Sequence, residues 1–193
     1  EAVRLSRMIN NVLDFSKIEK GVKAYSFEIV ELNATVQHVL QVMEYQLHLN
    51  RFTHRFIQHE GDLLIGADKD AIEDVLINLI TNAIKYSKDT REIIITTLED
   101  EKNCIITVAD RGIGIRREDT ERIFEPYYRC NEVGTDKIGG TGLGLAIVRH
   151  LMDAHNADIS VKSTLGMGSE FILKFKRAEE NADVIPEGNS EPE

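Results

Sequence analysis

Four glycines fall within six residues at Gly139-Gly140-Thr141-Gly142-Leu143-Gly144, and they run straight into an apolar helical pattern. Leu145, Val148 and Met152 mark that pattern, with Ile147 and Leu151 beside them. Glycine permits positive φ and lets a polyanion come close to backbone N–H groups. A helix start adds unpaired N–H donors and the positive end of the helix dipole. The segment therefore reads as a phosphate-binding loop. Alone it is a weak signal, since glycines also make plain turns. Two earlier segments strengthen it: Asn78-x3-Asn82-Ala83-x-Lys85-Tyr86 and Asp110-Arg111-Gly112-Ile113-Gly114.

The long helix predicted from Asp68, as its cap, to about Ser87 places Ile72, Leu76, Leu79 and Ala83 on one face for packing. Asn78, Asn82 and Lys85, spaced four and three, form a stripe at the edge of that face. An amide carbonyl is a hard oxygen donor that suits Mg²⁺ beside phosphate oxygens, and a lysine serves as a point charge on phosphate. Ordinary solvation explains any one of these residues by itself. Asp110 closes the apolar run Ile105-Ile106-Thr107-Val108 and precedes Gly112 and Gly114. A carboxylate there can accept a hydrogen bond from a purine 6-amino group, and the plain alternative is an Asx-type turn. Arg122-Ile123-Phe124-Glu125-Pro126-Tyr127-Tyr128-Arg129 leads into a polar stretch, Cys130 to Lys137. Phe124 and Tyr128 read as anchors of a mobile cover, and Arg129 as a side chain able to reach phosphate.

Around these segments, strands are expected at Ala24–Leu32, Phe52–Gln58, Leu63–Ala67, Arg91–Leu98, Cys104–Val108, Ala157–Lys162 and Glu170–Lys176. Asn33 is the expected cap of a helix reaching about Leu49. Mixed but not strictly alternating elements predict an α+β fold, a two-layer sandwich of helices on a mixed sheet. Residues 1–20 carry Leu5, Met8, Val12 and Phe15 at heptad spacing, and read as a helix that pairs with other helices. Residues 178–193 hold two of the three prolines and many acidic residues, and read as a disordered tail. Residues 21–177 form the domain between. A formal net charge of −10 argues against general nucleic-acid binding. Cys104 and Cys130 show no metal-ligand spacing and read as reduced thiols. The chain opens without Met, in the middle of a helical pattern, and reads as a piece of something longer.

The four motifs, in this order, closely resemble the catalytic, ATP-binding domain of sensor histidine kinases. Asn78 to Tyr86 resembles the N box, Asp110 to Gly114 the G1 box, Arg122 to Arg129 the F box and Gly140 to Gly144 the G2 box. Residues 4–16 resemble the second helix of the dimerisation and phosphotransfer hairpin. The resemblance implies a Bergerat-type fold with ATP and Mg²⁺ as its ligands. It implies that Asn82 holds Mg²⁺ with Asn78 assisting, and that Lys85 and Tyr86 touch phosphate and nucleoside. Asp110 would hold the adenine amine, with Gly112 and Gly114 allowing close approach of the base. Phe124 and Tyr128 would border the nucleotide, and Arg129 would aid transfer. Gly140, Thr141, Gly142, Leu143 and Gly144 would hinge the cover and meet the phosphates. The partners implied are an upstream hairpin helix, a second subunit and a response regulator. The setting implied is cytoplasmic, although many members of that family are membrane-bound.

Two departures carry meaning. The family's phospho-accepting histidine, in a His-acidic-x-x-x-Pro pattern, is absent; His59-Glu60 matches only its start, and Leu64 stands where proline would be. His59 is expected at a strand end, with the acceptor upstream of Glu1. Asn156-Ala157 replaces a common Gly-Gly, and Asn tolerates the left-handed cap expected there. The position four residues before Asn82, where the ATP-hydrolysing members of this fold carry a water-activating Glu, is Asn78. Without a base there, water attack should be slow. An ATP-hydrolysing clamp and a nucleotide-binding regulatory module remain as other readings of the same residues.

Overall fold

The protein is described by a computed structural model over residues 24–87, 89–130 and 140–178. The expected N-terminal helix, most of the polar stretch after Arg129, Gly139 and the acidic tail from residue 179 lie outside the described residues.

Among the described residues, seven strands and three α-helices make the domain: β1 (Glu28–Glu31), α1 (Leu32–Leu49), β2 (Thr53–Ile57), β3 (Leu64–Ala67), α2 (Lys69–Tyr86), β4 (Glu92–Glu99), β5 (Asn103–Asp110), α3 (Gly144–Ala154), β6 (Asp158–Thr164) and β7 (Gly168–Lys176). Five strands form one sheet in the order β2-β4-β5-β7-β6, with β2 parallel to β4 and the other pairs antiparallel. A separate ribbon joins β1 to β3. The helices cover one face of the sheet, as the expected two-layer α+β sandwich requires. Strand alternation sends Ile93 and Ile95 of β4, Ile106 and Val108 of β5, and Phe171, Leu173 and Phe175 of β7 inward. They meet Val36, Val39 and Met43 of α1, Ile72, Leu76, Leu79 and Ile80 of α2, and Val148, Leu151 and Met152 of α3 in one core.

Two local expectations change. Strand β1 is shorter than Ala24–Leu32 because its partner β3 runs out: Glu28 pairs with Ala67, and the next residue, Asp68, caps α2. The segment before β1 is tied down instead by Ser26 N–H on Asp68 Oδ2 at 2.8 Å. Helix α1 is capped by Glu31, whose carboxylate accepts the N–H groups of Asn33 and Ala34. Asn33 is buried inside the first turn, where it donates to the Gly61 carbonyl and accepts from the Thr97 hydroxyl at 2.6 Å. Its sequence pattern suited a cap; its side chain satisfies a buried threonine. Asp68 caps α2 as expected, accepting the Ala71 N–H at 3.0 Å. Asn156 has φ +50°, the left-handed value expected after α3. No helix among the described residues is long and apolar enough to cross a membrane.

Candidate functional site: a nucleotide cavity between α2, α3 and the end of β5

Helix α2 buries Ile72, Leu76, Leu79 and Ala83, which leaves Asn78, Asn82 and Lys85 half-buried along its edge. Asn78 donates from Nδ2 to the Asp74 carbonyl at 2.9 Å. Its Oδ1 faces the start of α3 so closely that a Cβ on Gly144 would stand 3.2 Å away. Lys85 donates from Nζ to Tyr86 Oη at 3.1 Å and lies 4.7 Å above the Tyr86 ring centroid. A Cβ on Gly140 would stand 2.3 Å from that ammonium, so the space left by glycine is where Lys85 sits. Motifs some sixty residues apart in sequence thus meet across one gap. Helix α3 begins there with no side-chain cap on Leu143, so its first N–H groups carry the dipole's positive end.

At the end of β5, Asp110 Oδ1 accepts the Gly112 N–H at 2.7 Å. Burial pushes its carboxyl pKa up, opposed by the backbone N–H groups of Gly112 and Ser169. The Tyr86 carbonyl accepts the Ile113 N–H at 3.0 Å, which ties the end of α2 to this turn. Gly114, at φ +72°, packs against the Thr164 carbonyl, and Ile115 N–H reaches Ser163 Oγ at 2.8 Å.

These elements enclose a cavity of about 100 Å³. Of the expected residues, Asn82, Tyr86, Asp110, Gly114, Tyr128 and Arg129 line it. The rest of its wall is mostly apolar: Ile113, Ile115, Ile123, Leu145 and Phe171, with Ser169 and Cys130. An apolar slot holding one half-buried carboxylate is chemically suited to a flat heteroaromatic ring with an exocyclic amine. Asn78, Lys85, Gly112, Gly140, Thr141, Gly142 and Gly144 stand around it and off that wall. Phe124 and Leu143 are buried in the core instead, Phe124 beneath the Arg149 guanidinium at 4.6 Å. Leu145, which opens the apolar pattern of α3, is only partly buried and faces the cavity.

Sequence reasoning missed the apolar slot, whose isoleucines look like any strand or turn residue. It also missed Asp119, a carboxylate only 2% exposed. Asp119 accepts Tyr128 Oη at 2.5 Å and Arg116 Nε at 2.9 Å. Asp at that position followed by Arg122 and Tyr128 carried no spacing that would have singled it out.

This geometry has counterparts in known proteins. The chain belongs to the histidine kinase-, DNA gyrase B-, and HSP90-like ATPase family, whose model matches residues 67–179. Within that family it is an ATP-binding catalytic domain of the sensor histidine kinase kind. It is 34% identical over 188 residues to the sensor histidine kinase WalK of Bacillus subtilis (strain 168), covering 94% of this chain and 30% of that protein. It is 31% identical over 175 residues to the sensor-like histidine kinase SenX3 of Mycolicibacterium smegmatis, covering 91% of this chain and 45% of that protein. The chain therefore spans less than half the length of either relative. Full-length ShkA in complex with AMPPNP superposes with a TM-score of 0.78 at 27% identity, over 91% of this chain and 36% of ShkA. The histidine kinase ThkA in complex with the response regulator protein TrrA gives a TM-score of 0.73 at 26% identity, over 92% of this chain and 49% of that one.

Proposed function

We propose that this domain serves a sensor histidine kinase by transferring the γ-phosphoryl group of ATP to a histidine on a helical hairpin. The phosphoryl group is then relayed to an aspartate of a response regulator. The observation that carries the reading is the convergence of the apolar slot and half-buried Asp110 with Lys85, Asn82 and the glycine turn on one gap. ThkA, a relative of similar fold, is seen with a response regulator, which supports the same kind of partner here. The heptad stripe of residues 5–15 supports a hairpin helix and a second subunit.

Adenine lies in the slot among Ile113, Ile115, Ile123, Leu145 and Phe171, with its 6-amino group on Asp110. The phosphates extend toward Lys85, Arg129 and the N-terminus of α3. Asn82 on the cavity wall and the forward-facing Asn78 carbonyl are hard oxygen donors, so the residues present fit a Mg²⁺ that arrives with the nucleotide. When bound, Mg²⁺ neutralises phosphate charge. The imidazole nitrogen of the acceptor attacks the γ-phosphorus in line. A P–N bond forms as the bond to the β,γ-bridging oxygen breaks, and ADP leaves. Lys85 and Arg129 hold the charge that develops on the phosphoryl oxygens, so the residues act by positioning and electrostatics. Asn78 is a poor base, and this keeps the phosphoryl group from water.

The test supplies γ-labelled Mg-ATP to the chain together with a hairpin polypeptide carrying an acceptor histidine. Acid-labile, base-stable label on the hairpin with little free phosphate is expected. Rapid phosphate release without labelled protein would favour an ATP-hydrolysing clamp and overturn the reading of Asn78.

A further inference from the structure

Asp119 is the buried carboxylate that the scheme above leaves without a role. It sits in a short 3₁₀ turn, Arg117–Asp119, and does not line the cavity. A buried charge persists only when its lone pairs are satisfied, and its partners lie on the stretch that forms one wall of the cavity. Tyr128 Oη donates to one oxygen at 2.5 Å, and Arg116 Nε donates to the other at 2.9 Å. The nearby Cys130 thiol adds a smaller effect that also lowers the Asp119 carboxyl. The Tyr128 bond is the leading cause that holds the Asp119 carboxyl below its ordinary range, and the same bond raises the Tyr128 phenol. The Arg122 guanidinium closes over the Tyr128 ring, 4.3 Å from its centroid. Next along the chain, Tyr127 takes φ +64° and donates its N–H to the Gly142 carbonyl at 3.0 Å. A left-handed tyrosine is uncommon and persists where its neighbours over-determine it.

We infer that Asp119 is a positioning residue for the nucleotide site: it holds Tyr128 and, through it, Arg129 and Cys130 at the cavity wall. The inference rests on the nucleotide reading above and extends it to a residue that touches no ligand. Tyr128, Arg129 and Cys130 all line the cavity, so loss of the Asp119 anchor changes the wall without removing a contact atom. Arg116 is bound both to Asp119 and to Glu118, at 3.1 Å, so it stays paired when Tyr128 is altered.

The test compares Asp119→Asn, Tyr128→Phe and the double variant in the full chain. Mg-ATP affinity is measured by calorimetry, and the Tyr128 ring is followed through a pH titration by NMR. Each single change should weaken ATP binding about tenfold. The double variant should bind no more weakly than Asp119→Asn alone, since both remove one shared bond. In Asp119→Asn the Tyr128 phenol should titrate lower than in the wild type, because the bond that raises it is gone; a merely structural role would move that titration and leave ATP affinity unchanged. Additive losses, wild-type affinity in either single variant, or an unmoved Tyr128 titration would overturn the proposal. Should Asp119→Asn fail to fold, Tyr128→Phe decides alone, and unchanged affinity there rejects it. Wild-type protein without ATP affinity would instead sink the nucleotide reading, while the Tyr128 titration still reports whether Asp119 holds that ring.

Discussion

The two glycine-bearing turns look alike in sequence and differ in what their missing side chains admit. In Asp110–Gly114 the glycines make room for the protein itself. A Cβ on Gly112 would lie 2.6 Å from the Tyr86 carbonyl oxygen, and one on Gly114 would lie 2.1 Å from that of Thr164. In Gly140–Gly144 the outer two make room for the side chains of the proposed chemistry, Lys85 Nζ at 2.3 Å and Asn78 Oδ1 at 3.2 Å. Only the middle one, Gly142, meets backbone, that of Tyr127. The first turn is a joint between α2, β5 and the β6–β7 turn. The second is a gap across which functional groups face each other. The resemblance assigned Gly112 and Gly114 to close approach of the base; the structure gives them a structural reason that acts whether or not a base is bound.

The largest effect should come from the joint. Gly114→Ala adds a left-handed alanine and a contact with backbone that cannot swing aside, so it should cost about 3 kcal/mol or more. The urea midpoint of the variant checks this, and a midpoint like that of the wild type would erase the distinction between the turns. Gly140→Ala is the matching change across the gap. Its Cβ meets the end of a flexible lysine, so stability should stay within about 0.5 kcal/mol while phosphoryl transfer falls roughly tenfold as the ammonium is displaced. Unaltered transfer would remove Lys85 from the phosphates.

Asp110 belongs to the joint and also lines the cavity, so its titration separates folding from binding. Burial raises its pKa, so the folded state holds the proton more tightly than the unfolded chain does. Between the unfolded value and the raised folded value, stability therefore falls as pH rises, and at neutral pH the ionised carboxylate costs stability. Adenine binding runs the other way, because the carboxylate is the acceptor, and affinity should fall as pH drops through the raised pKa. Asp110→Asn should weaken binding by about 1.5 kcal/mol, roughly tenfold, flatten that acid limb and leave the fold at least as stable. Adenosine, which has no titrating phosphate, is the ligand for the measurement. Equal affinities in the two proteins would reject the role of Asp110 on the base.

Some of this was legible in the sequence and some was not, for identifiable reasons. Helix α2 was readable because one period sets both its buried stripe and the Asn78, Asn82, Lys85 edge, and because Asp68 caps it. The strands expected at Arg91–Leu98 and Cys104–Val108 pair antiparallel as β4 and β5 across the short charged turn between them. The cavity-facing role of Leu145 was not legible, because helical periodicity cannot tell a core face from a cavity face when both are apolar. Phe124 and Tyr128 read alike as aromatic anchors, and the structure divides them: Phe124 is buried in the core and Tyr128 reaches the cavity wall. Glu31 went unnoticed as a cap because its carboxylate reaches past Leu32 to Asn33 and Ala34, a role that the residue before them in the pattern does not advertise. Asp119 went unnoticed because its partners are fixed by the fold of residues 116–130 and not by any spacing.

The smallest effect is the most discriminating. Gly144 opens α3, where alanine is the better helix former by roughly 0.5–1 kcal/mol. Its Cβ would press on Asn78 Oδ1 at 3.2 Å, a contact the amide can relieve by moving a few tenths of an ångström. Fold and function should therefore respond to Gly144→Ala with opposite signs: the urea midpoint should hold or rise, and phosphoryl transfer should fall about threefold. A general loosening of the loop would lower both, and a glycine kept only for backbone freedom would change stability alone. If transfer holds while the midpoint rises, Asn78 contributes nothing through its carbonyl, and Asn82 is left as the single amide donor at the metal. The opposite signs would show that this glycine leaves its space to Asn78, as Gly140 does to Lys85, and that the gap between α2 and α3 is set by side chains and not by the backbone.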